Sequence, residues 1–156
     1  MYDVFVHFKA LVKNQFKHRI VTLYSDNGGK YQTLDNFRST NGISHLTTPP
    51  YTLEHNGISE RRHCHIVEIG LSLLTHASMP LTYWTYAFVT AVYLINRMPT
   101  PTLHFSSFFD KLFKSPPNYT KLRVFGCLCY SWLRPYSQHK LDSRSIPCIF
   151  LCYSLT

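Results

Sequence analysis

Four prolines, at 99, 101, 116 and 117, fall within residues 99–118, and each removes a backbone donor and fixes φ, so neither a long helix nor a central strand can run through that stretch. The chain is thereby divided into two parts of different character. Upstream, apolar residues recur at helical spacing between short β-rich runs. Downstream come two β-like runs, Arg123 to Leu133 and Pro147 to Tyr153, separated by a basic loop at 134–144. A length of 156 residues accommodates one ordinary domain and a small appendage, and excludes a large multidomain enzyme.

Within the upstream part, Val4, Phe8, Leu11 and Val12 sit at the spacing of an amphipathic helix over 3–16 with Lys9 and Lys13 outward. Residues 19–25 read as a strand that stops at the turn Asp26-Asn27-Gly28-Gly29. Leu34 to Thr40 makes a short helix closed by Asn41-Gly42, and Ile43 to Thr47 a second strand. Pro49, Pro50 and the Asn56-Gly57 pair bracket a loop over about 48–57. A long helix from Ile58 to about His76 carries Ile66, Ile69 and Leu73 on one face. A second, from about Pro80 to Arg97, carries Trp84, Ala87, Phe88, Ala91 and Leu94 and ends at Met98-Pro99.

Hydrophobic residues make up 45% and charged residues 15%, against about 25% charged in a typical domain, a balance that excludes disorder throughout. The formal charge is +8, and residues 103–156 carry seven Lys and Arg against two Asp and Glu. Such a field favours an anionic partner, nucleic acid first, although solubility accounts for it equally. The five cysteines, at irregular spacing, do not form a secreted disulfide framework and point to a reducing compartment. The longest mostly apolar stretch, Tyr83 to Ile95, is well short of the roughly 20 residues that cross a bilayer. With Asp3 and Lys9 in place of an export signal, the expected location is nucleus or cytoplasm, not secreted and not membrane-bound.

Two acids stand out. Asp26 ends a strand beside a glycine pair, and Glu60 falls in the first turn of the long helix, places from which carboxylates can share a divalent cation. The plainer account makes Asp26 an Asx-turn residue and Glu60 a helix-start acid favoured by the macrodipole. Arg61, Arg62, His63 and His65 follow directly, suited to phosphate or simply to a solvated helix face. A zinc reading of Cys127-x-Cys129, Cys148-x3-Cys152 and His63-Cys64-His65 is disfavoured. Neither cysteine spacing is that of a zinc knuckle, and alternation puts Cys127 and Cys129 on one strand face as small buried residues.

The strings LYSDNGGKYQ (23–32), GISHLTTPPYTLEHNGISERRH (42–63), YWTYAFVTAVYLINRMPT (83–100) and KLRVFGCLCYSWLRP (121–135) resemble the copia-type retrotransposon integrase. The resemblance implies an α/β chain: a truncated RNase H-like integrase core over 1–102, a Pro-rich linker over 103–118 and a small SH3-like β-barrel over 119–156. It also implies metal-dependent DNA end processing and strand transfer by three acids holding Mg²⁺ or Mn²⁺. Asp26 matches the second acid and Glu60 the third, as catalytic residues and metal ligands, with 33 residues between them. Asn56, in the Asn56-Gly57 pair that matches the mobile loop before the catalytic helix, and Arg61 and Arg62 are the DNA-binding candidates. DNA is the implied partner, with other integrase chains as a second.

No residue matches the first acid, since the family's opening strand lies upstream of the helix at 3–16 and Asp3 cannot replace it. The ion would be held weakly if at all, and the chain is expected to be inactive alone. Lys30 stands where the family usually has Glu, Leu53 where Pro is usual and Cys152 where Gly is usual. Together these suggest a decayed copy. The alternative is a non-catalytic nucleic-acid-binding relic.

Overall fold

The computed structural model describes residues 1–25, 28–47, 53–133, 139, 141 and 143–154; the side chains of 30, 53–56 and 58 lie outside the description. The chain forms two compact units, Met1–Arg61 and Arg62–Thr156.

In the first unit, α1 (Tyr2–Phe16) precedes β1 (Thr22–Ser25), a short helical turn at Gly29–Leu34, α2 (Asp35–Thr40) and β2 (Ser44–Thr47). The strands are parallel, Thr22 opposite Ser44 and Ser25 opposite Thr47, so the chain must cross over between them, and the turn and α2 make that crossover. Leu34 and Ile43, at either end of α2, are the unit's buried hydrophobic residues. The expected strand at 19–25 is shorter, and the face expected of α1 is corrected. Val4 and Phe8 are 71% and 52% exposed, while Phe5, Lys9, Val12 and Phe16 are half-buried. Phe37 of α2 sets this rotation: Tyr2 and Phe5 meet its ring edge-on, and the Lys9 ammonium lies over it while donating to Asn41. A cation over a ring, its stem packed along apolar surface, draws Lys9 inward.

The long helix α3 spans Leu53–His76 and α4 spans Trp84–Arg97 behind a turn at Leu81–Tyr83. α3 begins five residues before the expected Ile58, so Asn56 and Gly57 belong to the helix rather than to a loop; residues 48–52 lie outside the description. The second unit's core is Leu74, Ala87 and Phe125, with Ala77, Met79, Phe88 and Leu151 packed against it. The proline-dense stretch is folded. An antiparallel bridge between Thr100 and Ser106 turns the chain back, and α5 (Phe108–Phe113) follows, capped by Ser107, whose hydroxyl accepts from Asp110 N–H.

β3 (Leu128–Trp132) and β4 (Ser145–Ile149) pair antiparallel, with Cys129 opposite Cys148. Hydrogen bonds from Leu133 N–H to Arg144 and from Phe150 N–H to Cys127 flank the ladder. Alternation from those ends leaves Pro147, opposite Tyr130, at a position that needs no donor. In place of a closed barrel, the described residues form this two-stranded ribbon. Its cysteines are half-buried rather than buried as expected, whereas Leu128, Tyr130 and Trp132 on the other face are 64%, 66% and 57% exposed.

Candidate functional site

The early start of α3 changes what Glu60 means. The helix dipole and the unpaired N–H groups act within the first turn, and seven residues beyond Leu53 is about two turns in. The helix-start account of this acid is thereby weakened, and Glu60 is an exposed carboxylate on a regular stretch of helix. Asp26 lies outside the described residues, immediately after Ser25 at the end of β1; Asn56 is helical in backbone, its side chain outside the description.

Successive helical residues point about 100° apart, and the two arginines behave differently. Arg61 folds back along α3, its guanidinium nitrogen 3.2 Å from where a Cβ on Gly57 would lie. Arg62 places its guanidinium 4.7 Å from the centre of the Phe108 ring and lines a groove of about 230 Å³ with His65, Ile66, Val92 and Asn96. Both arginines are exposed, as are His63, Cys64 and His65. Among the described residues no three His, Cys, Asp or Glu side chains converge as metal ligands, and all five cysteines are free.

At the end of β1 the structure assembles a cluster that sequence spacing does not reveal. Ser25 is 6% exposed and its hydroxyl lies 2.7 Å from His45 Nε2. The parallel register puts Leu23 opposite His45, so Ser25 and His45 are diagonal neighbours on one face. Burial, and then the nearby Arg38 charge, hold the His45 imidazole below its ordinary pKa, favouring the neutral ring. Arg38 itself is 9% exposed, paired with Asp35, and its Nε has no partner among the described residues. Only a strand register, not a motif, links these residues.

Comparison with known proteins gives four findings. Residues 127–156 match the family model of the retroviral polymerase SH3-like domain. The chain is similar to the retrovirus-related Pol polyproteins from transposons RE2 and RE1 of Arabidopsis thaliana, at 63% and 64% identity over 99% of its length. It is 39% identical, over 98% of its length, to that from transposon TNT 1-94 of Nicotiana tabacum. It spans only about a tenth of these relatives, 11%, 10% and 12%. In fold it is similar to a chain of the simian T-cell lymphotropic virus intasome in complex with PP2A regulatory subunit B56 gamma. The TM-score is 0.56 at 19% identity, covering 94% of this chain and 52% of that one. No helix among the described residues is long and apolar enough to cross a membrane.

Proposed function

The chain belongs to the copia-type retrotransposon Pol polyproteins, as a stretch of their integrase region, and from that premise we propose that it is a DNA-holding part of an integrase. Asp26 and Glu60 are two of its catalytic carboxylates, and Arg61 contacts the DNA backbone. The observation that supports this most is Glu60 itself: an exposed acid about two turns inside α3, for which helix capping offers little reason. Arg61 and Arg62 next to it supply the cations that a phosphate backbone requires.

The described residues do not assemble a metal centre, and the Asp26 and Glu60 carboxylates are hard oxygen donors of the kind that Mg²⁺ and Mn²⁺ take. In this reading Asp26 and Glu60 hold Mg²⁺ or Mn²⁺ weakly, with the rest of the ion's oxygen shell supplied from elsewhere. Manganese titration followed by electron paramagnetic resonance tests it. Weak Mn²⁺ binding lost in both Asp26→Asn and Glu60→Gln is expected; unchanged binding in either would remove the catalytic assignment.

A second reading, a non-catalytic nucleic-acid-binding relic, draws on the basic excess of residues 103–156. It expects salt-dependent DNA binding that persists in Asp26→Ala and Glu60→Ala, with no Mn²⁺ site to lose.

A further inference from the structure

In the second unit, a cleft of about 740 Å³ opens between the end of α4, α5 and the chain after β4. The Arg62 groove is its neighbour, with Asn96 and Phe108 lining both. Its size lies in the range of small-molecule sites. Its chemistry is narrower than that of a generic apolar hollow.

Arg97 is the centre of it. The guanidinium lies 3.4 Å from the centre of the Tyr93 ring and 4.5 Å from that of Phe109. Tyr93 is in turn stacked on Tyr153 at 4.0 Å and 8°. One Arg97 N–H donates to the Tyr93 carbonyl, and no ion pair to this arginine exists among the described residues. The group is thus held by rings, with donor capacity left over and no carboxylate among the described residues to use it. Lys121 lines the same cleft, and Arg62 stands at the far end of the adjoining groove. Glu68 and Asp110, the described acids of this unit, line neither hollow.

Cations spaced along a channel whose walls are aromatic are the arrangement that holds an unpaired nucleic-acid strand. Phosphates meet the cations, and bases, having π-faces whatever their identity, stack on rings. Phe113, 52% exposed on the cleft wall, offers such a ring, and the Asn96 amide supplies both a donor and an acceptor for a base edge. A duplex keeps its bases stacked on one another and cannot use the rings. We propose that this cleft of the second unit binds a short single-stranded segment of nucleic acid, with phosphates on Arg97 and Lys121 and a base against Phe113. The site stands apart from the carboxylate assignment and does not depend on it.

Fluorescence anisotropy on the whole 156-residue chain tests this with three probes at about 0.15 M salt: a labelled ten-nucleotide oligothymidine, the same oligomer with abasic sites, and a blunt duplex. The intact oligomer is expected to bind at least tenfold more tightly than the other two. Phe113→Ala and Lys121→Glu each weaken it about tenfold and leave Mn²⁺ binding unchanged. Lys121→Glu also lowers the salt slope by about 0.7 for its lost phosphate contact, and circular dichroism verifies that both variants are folded. Equal affinity for the abasic oligomer reduces the effect to bulk charge and overturns the proposal, as does equal affinity for the duplex. Tighter binding of an acidic, aromatic-rich peptide in competition would instead assign the cleft to a protein segment.

Discussion

The ring of Phe88 on α4 lies against Gly70 on α3 so closely that a Cβ at Gly70 would meet Phe88 Cδ1 at 2.2 Å. Glycine inside a helix ordinarily costs about 1 kcal/mol relative to alanine. The contact explains why that cost is accepted here: it lets the two helices of the second unit approach. Gly70→Ala should therefore reverse the usual sign and destabilise the chain by about 1–3 kcal/mol through overpacking. Urea denaturation of the whole chain measures it, and a gain in stability would mean that the ring moves aside without loss.

Thr90, 1% exposed, donates its hydroxyl to the carbonyl of Leu151 at 2.9 Å, tying α4 to the chain after β4. Valine matches threonine in shape and removes the donor. Thr90→Val should cost about 1–3 kcal/mol, because the carbonyl of half-buried Leu151 loses this donor, while Thr90→Ser keeps the bond and loses only a methyl group. Thermal unfolding of the two variants side by side separates the hydrogen bond from the packing.

How legible this was varied with the distance over which each element is decided. α1, α2, β1, β2 and α4 follow from local spacing and turn residues, and the structure places them within a few residues of expectation. The start of α3 did not, because Asn56-Gly57 carries a strong turn signal; Gly57 is accommodated in the helix with the Arg61 guanidinium beside it. The inward face of α1 was misread because Phe37, which selects it, is distant in sequence. In β3 the alternation was visible, but not its direction: the smaller cysteines turn inward and Leu128, Tyr130 and Trp132 outward. Of the candidate site, Glu60 and the arginines are candidates by position and motif alone. The Ser25–His45 contact exists only through parallel strand pairing, which no spacing rule encodes.

His45 makes that contact sensitive to pH. Its folded pKa is lowered by burial and by the Arg38 charge, so the unfolded chain takes up the proton first as pH falls. The associated stability is fully present above the unfolded value of about 6.5 and is lost as pH falls from there through the lowered folded value. Between pH 7.5 and 5 the chain should therefore lose more stability than His45→Gln does under the same conditions. Urea midpoints across that range measure the difference; parallel curves would mean that the imidazole is not held neutral.

Arg61 and Gly57 offer a test of the DNA-holding role that does not involve the carboxylates. The guanidinium of Arg61 lies back over Gly57, 3.2 Å from a notional Cβ, so Gly57→Ala pushes the guanidinium away without removing its charge, while alanine favours the helix by about 1 kcal/mol. Arg61→Ala should weaken duplex binding by a similar factor on any sequence and lower the salt slope by about 0.9, the signature of one lost phosphate contact. Gly57→Ala should change affinity with the slope intact, since the charge remains and only its position shifts. Duplex binding by anisotropy at several salt concentrations gives both numbers, and an unaltered slope in Arg61→Ala would take this arginine off the DNA backbone.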